Sequence, residues 1–105
     1  MQVREQSDIA IITLLSDECG GLAKIIDPLL ERGRNRFVFD MSQATFLNSL
    51  NIAAIISTRN RIITAGGKAA IANLGDNIKS VFRILKLERM FDLDLDLAAA
   101  LAQVR

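Results

Sequence analysis

A chain of 105 residues, half apolar and a quarter charged, carries enough apolar side chains for one hydrophobic core, and residues 1–105 are expected to form a single domain. The formal net charge of +1 gives no bulk electrostatic reason for nucleic acid or a membrane surface as partner, and without Tyr or Trp there is little to stack on bases. With no histidine and a lone Cys19, the chain has no Cys-His pair for nucleophilic catalysis, no zinc set and no internal disulfide.

The first residues, Met1 to Gln6, lack the basic and then apolar regions of a signal peptide, and no apolar run is long enough to span a bilayer. The cytoplasm is the expected location. Gln2 to Gln6 is expected as a short edge strand, with Ser7-Asp8 as the turn after it. Ile9 to Leu15 is nearly all apolar and β-branched, the pattern of a strand buried on both faces. Leu22, Ile25, Ile26, Leu29 and Leu30 recur at helical spacing, with Gly33 as the stop. Pro28 either kinks this helix or opens a second piece at Asp27-Pro28.

Arg36 to Met41 reads as the next strand, ending at Asp40. A short polar turn follows, and Ser49 stands where a helix begins. Either Ser49 caps that helix or Asn48 does, leaving Ser49 in the first turn. Ile52, Ile55, Ile56, Ile62 and Ile63 are expected on one face, and Ser57, Thr58, Asn60 and Arg61 on the other. Gly66-Gly67 ends the helix. Lys68 to Leu74 is a further strand, and Ile78, Val81, Phe82 and Leu85 mark a third helix. Met90 to Leu93 is expected as a last short strand, and Leu95 to Val104 as a terminal helix. Strands alternating with helices imply parallel pairing, with sites beyond the carboxyl ends of the strands, where residues 42–49 lie.

Metal and cofactor motifs are absent. Asp92, Asp94 and Asp96 lack the glycine and glutamate of a calcium loop, and Gly67-Lys68-Ala69 lacks the glycine spacing of a phosphate loop. No acid–base constellation points to an enzyme. Residues 59–89 hold seven basic groups against two acidic ones, which suits either solvated helix faces or a patch that steers an acidic protein partner. Leu47, Leu50 and Ile84 are either isolated exposed side chains or an apolar contact patch beside Ser49. Asp40 is expected to fix the turn after its strand.

The stretch Phe37-Val38-Phe39-Asp40 through Leu47-Asn48-Ser49 resembles the STAS domain of bacterial anti-sigma factor antagonists. There a strand ending in aspartate leads to Asp-Ser-Ser-Gly at a helix start. Ala65-Gly66-Gly67-Lys68, and Val81 to Leu87 running on to Met90-Phe91, agree in order with that family. The resemblance implies an α/β STAS-like fold, a small mixed central sheet with about four flanking helices. It implies a non-enzymatic module that binds an anti-sigma factor or serine kinase and is served by a phosphatase. The first serine of the motif, the phosphate acceptor, matches Ser49. Asn48 stands for the family aspartate, Leu50 for the second serine and Asn51 for the glycine. Leu47, Asn48, Ser49, Leu50 and Asn51, with Arg59 and Arg61 from the basic run, form the expected partner surface. The alternatives are a non-phosphorylated STAS adaptor or transporter accessory subunit and, from another class, a small enzyme.

Overall fold

Four strands form one sheet in the order β1-β2-β3-β4 in the computed structural model, which describes residues 2–15 and 19–105. Met1 and the Cys19 side chain, both weighed in the sequence, lie outside the described residues. The strands are β1 (Gln2–Gln6), β2 (Ile9–Thr13), β3 (Arg36–Asp40) and β4 (Lys68–Ala72). The first pair is antiparallel and the other two pairs are parallel, so the sheet is mixed. Ser7 and Asp8, at φ +49° and +69°, make the hairpin turn that suits the twist of β1 and β2. Arg34 fastens that hairpin to the start of β3 through ion pairs with Asp8 at 3.0 Å and Glu5 at 3.2 Å.

Four α-helices flank the sheet among the described residues: α1 (Leu22–Glu31), α2 (Ser49–Thr64), α3 (Asp76–Ile84) and α4 (Leu97–Val104). Alternation along the strands divides the core in two. Ala10, Ile12, Leu14, Phe37, Phe39 and Ile71 pack with α1, α2 and α3. Ile9, Ile11, Val38, Ala70 and Ala72 face the other way and pack under Ala100, Leu101 and Val104 of α4. This double cover is why every residue of β2 is buried.

The helix ends follow from local chemistry. After α1, Gly33 at φ +89° donates to the Leu30 carbonyl and Arg34 to that of Leu29. Gly66 and Gly67 repeat this arrangement after α2, donating to Ile63 and Ile62. Both are Schellman stops, which need a left-handed residue best supplied by glycine. A Cβ on Gly67 would strike the Asn35 carbonyl oxygen, so the chain passes too close there for a side chain. Pro28 lies inside one continuous α1 rather than opening a second helix.

Three expectations are corrected. No strand forms at Met90–Leu93. A 3-10 turn at Leu87–Arg89 continues into a loop whose amides bond locally, Met90 and Phe91 both donating to the Leu87 carbonyl. Phe91 and Leu93 are buried while Asp92 is exposed, so burial has a strand-like period without a partner ladder. On α2, Thr58 is buried and Ile63 is 43 % exposed. Thr58 satisfies its hydroxyl by donating to the Ala54 carbonyl at 2.7 Å, which lets a polar residue sit inward. On α3, Ile78 and Phe82 are buried one turn apart, whereas Val81 and Leu85 turn outward because the helix buries only a narrow stripe.

Candidate functional site

The loop from Met41 to Asn48 leaves the carboxyl end of β3 and delivers the chain to the start of α2. Its first fixed point is Asp40. Oδ1 accepts from the Ser42 amide at 3.0 Å and from Asn73 Nδ2 at 3.1 Å, and Oδ2 lies 3.8 Å from the Arg4 guanidinium. Burial by itself pushes the Asp40 carboxyl up. The hydrogen bonds from Asn73 and from the amide and hydroxyl of Ser42, with the charge of Arg4, outweigh it and hold the pKa below the ordinary carboxylate value. Asn73 is held just past β4, at φ +60°, with its own amide donating to the Leu95 carbonyl. Asp40 thus joins the ends of β3 and β4 through one carboxylate.

The second fixed point is the helix entry. Asn48, not Ser49, is the N-cap. Its Oδ1 accepts from the Asn51 amide at 2.8 Å, and Asn51 Oδ1 accepts from the Asn48 amide at 3.2 Å. This is a capping box built from two asparagines. It makes Asn51 a buried structural residue, although it belongs to the partner surface expected from the sequence. Ser49 is the first helical residue and is exposed. The first backbone bond of α2 runs from Ile52 to Asn48, so the amides of Ser49 and Leu50 precede it at the electropositive helix end.

Exposed apolar side chains stand on both sides of this entry in the sequence. Leu50 is 77 % exposed, and Phe46 in the loop is 61 % exposed. Phe46 and Leu47 share a small cavity of about 80 Å³ with Asn77, Ile78 and Val81 of α3, which brings the loop against that helix. The exposed side of α3 continues from Val81 to Ile84, 77 % exposed, and Leu85. To Leu47, Leu50 and Ile84 the structure adds three exposed apolar side chains, Phe46, Val81 and Leu85. The last three were missed in the sequence. Helical spacing assigns Val81 and Leu85 to a core stripe, and nothing local marks Phe46 as exposed.

Arg59 and Arg61 stand apart from this end. They lie ten and twelve residues along α2 from Ser49, about 15–18 Å at helical rise. Arg61 bonds Asp27 of α1 at 2.6 Å across an open groove between the two helices. Arg59 lies over the Phe91 ring, 6.0 Å from its centroid. Lys79 and Arg83 pair with Asp94 at 3.0 and 3.6 Å. The basic run of residues 59–89 is thus largely used in internal pairs and does not form one patch beside Ser49. The three aspartates near the C-terminus are also engaged. Asp92 accepts from the Asp94 amide, Asp94 holds Lys79, and Asp96 caps α4 by accepting from Ala99.

The STAS domain family model matches residues 2–100. The chain belongs to the STAS domain family. Solved structures share its fold at low sequence identity. Protein tm1081 of Thermotoga maritima, assigned as an anti-sigma factor antagonist, superposes with a TM-score of 0.82 at 20 % identity, over 99 % of this chain and 93 % of that one. The Bacillus cell fate determinant SpoIIAA in its phosphorylated form gives 0.72 at 14 % identity, over 99 % and 98 %. The anti-sigma factor antagonist SpoIIAA in its unphosphorylated form gives 0.61 at 11 % identity, over 78 % and 80 %. No curated protein sequence matches the chain. The mixed sheet with its four helices is the STAS fold expected from the motif order.

Proposed function

We infer that this STAS domain is a reversible protein-binding module of the anti-sigma factor antagonist type. The observation that carries the reading is an exposed Ser49 in the first turn of α2, with exposed apolar side chains near it in sequence, Phe46 and Leu50, and on α3, against which the loop packs, Val81, Ile84 and Leu85. An interaction module concentrates binding energy in such a patch, which loses its water on docking. The partner is an anti-sigma factor with serine kinase activity, met in the cytoplasm. Ser49 is the phosphate acceptor, and a phosphatase resets it. The capping duty of Asn48 supports this role, because it leaves the Ser49 hydroxyl free of a structural task.

The switch works by charge and solvation. Phosphate on Ser49 brings about −1.5 to −2 charges to the centre of an apolar surface. The amides of Ser49 and Leu50 and the helix dipole hold it without disturbing the fold. The partner must then strip water from a dianion to reach Leu50 and Ile84, so the phosphorylated form binds weakly.

Intact mass after incubation with the cognate anti-sigma factor kinase and ATP tests the switch. One added phosphate, lost in Ser49→Ala, is expected. Ser49→Ala keeps kinase binding, and Ser49→Asp and Leu50→Ser/Ile84→Ser weaken it. If the wild type is unmodified and both Ser49→Asp and Leu50→Ser/Ile84→Ser bind as the wild type does, the reading fails.

One feature favours a second reading. The first turn of α2 carries no acidic residue, and Asn48 stands where the family aspartate does. A constitutive adaptor would use the same patch without phosphate. Phosphorylation of Asn48→Asp, but not of the wild type, would decide for it.

A further inference from the structure

Three of the α-helices stop in the same way, on a left-handed residue whose amide donates back to a carbonyl of the last turn. After α1 that residue is Gly33, donating to Leu30, and after α2 it is Gly66, donating to Ile63. After α3 it is Lys86, at φ +61° and ψ +33°, donating to Arg83 at 3.0 Å. The fold requires this conformation. Leu85 is 52 % exposed, and two residues further on Leu87 is back in the core that holds Phe82. Such a return of an apolar residue just past the stop is usual for this kind of helix end. Glycine takes the left-handed backbone freely, whereas a Cβ there crowds the following carbonyl.

No ion pair or hydrogen bond of the Lys86 side chain offsets that crowding among the described residues. Asp8 and Asn73, also left-handed, have side chains engaged with Arg34 and Asp40. Lys79 and Arg83 of α3 hold Asp94. A cation is mildly favourable at the electronegative end of a helix, but Arg83 already stands in the last turn of α3. A lysine therefore occupies a position where this chain twice uses glycine, and its ammonium is left to solvent. It directly follows Ile84 and Leu85, two of the most exposed apolar side chains in the molecule. Apolar side chains with a charged group at their edge are the usual arrangement of a protein interface.

We propose that Lys86 is a recognition residue for the protein partner, its ammonium meeting a carboxylate that flanks the partner's contact with Ile84 and Leu85. The proposal rests on the reading of this domain as an anti-sigma factor antagonist and adds a charge requirement to it. The left-handed backbone is the cost of having a cation at that place, so the lysine is expected to lower stability while raising the rate of association.

Binding kinetics of the full chain on the immobilised cognate anti-sigma factor kinase, without ATP, test this together with urea unfolding. Lys86→Gln should associate about threefold or more slowly at low salt, and the difference should close towards about 0.5 M salt. Lys86→Arg should associate as the wild type does. Lys86→Gly should associate as slowly as Lys86→Gln, yet unfold at a higher urea midpoint than wild type. If Leu50→Ser/Ile84→Ser weakens binding while Lys86→Gln and Lys86→Gly associate at the wild-type rate, the apolar surface stands and the role of Lys86 is overturned. If Leu50→Ser/Ile84→Ser binds as the wild type does, the surface itself fails and the proposal with it. A urea midpoint for Lys86→Gly at or below that of wild type would overturn the claim that the lysine is kept against the preference of the backbone.

Discussion

Replacing Asn48 by alanine asks which side chain holds the start of α2. Asn48→Ala deletes the 2.8 Å bond to the Asn51 amide, at a residue only 8 % exposed. Loss of an N-cap costs about 1 kcal/mol, within ~0.5–2. An orphaned donor that water reaches poorly puts this site in the upper half of that range, about 1.5 kcal/mol. Asn51→Ala removes the other, 3.2 Å bond and should cost about 1 kcal/mol. The two bonds join the same pair of residues, so the double variant should lose less than the two losses added. Ser49→Ala should stay within ~0.5 kcal/mol of wild type, because the hydroxyl is exposed and alanine favours helix. Asn48→Asp keeps the acceptor and adds a negative charge at the electropositive helix end, so it should be about 0.5 kcal/mol more stable. Urea unfolding at neutral pH followed by far-ultraviolet circular dichroism measures all five, since the chain has no Trp for fluorescence. If Ser49→Ala cost more than about 1 kcal/mol while Asn48→Ala cost nothing, Ser49 would be the cap. Its hydroxyl would then be needed for the fold rather than spare for phosphate.

Phe82 is fully buried and tilted against Phe91 at 6.2 Å between ring centroids, so Phe82→Ala should cost about 3–5 kcal/mol in denaturant unfolding; a loss under about 1 would contradict that packing. Gly67→Ala should lose about 1–3 kcal/mol, because the new methyl meets the Asn35 carbonyl, and a wild-type melting temperature would show that the two segments part easily. Asp40 has a native pKa below its ordinary 3.8, so its stabilisation is complete above the unfolded-state value and is lost as pH falls through the lower native one. Acid titration of stability should therefore show a shallower decline for Asp40→Asn than for wild type, and identical slopes would remove Asp40 from the acid transition. Replacing Ser7-Asp8 by Asn-Gly should raise stability by about 1 kcal/mol, since both positions are left-handed, and a lower unfolding midpoint would mean that the Asp8–Arg34 pair outweighs the turn strain.

Much of this protein was legible in one dimension because its signals are local. The Gly33 and Gly66-Gly67 stops, the four strands and the apolar run of β2 follow from backbone preferences and short-period burial, which do not depend on distant contacts. The position of Ser49 at a helix entry was legible for the same reason. Two alternatives stayed open in the sequence and were decided by side-chain geometry. Asn48 rather than Ser49 caps α2, and Pro28 is accommodated within α1. Tertiary packing alone determined the rest. It turned Val81 and Leu85 outward, hid Thr58, and left Phe91 and Leu93 buried without a strand, because burial depends on what lies opposite each residue. It also spent Arg61, Lys79 and Arg83 on Asp27 and Asp94, partners far away in sequence that no charge count along the chain can find. The surroundings of Asp40 arise in the same way: Gln2, Arg4 and Thr13 come from two other strands, and only the sheet register brings them to its side.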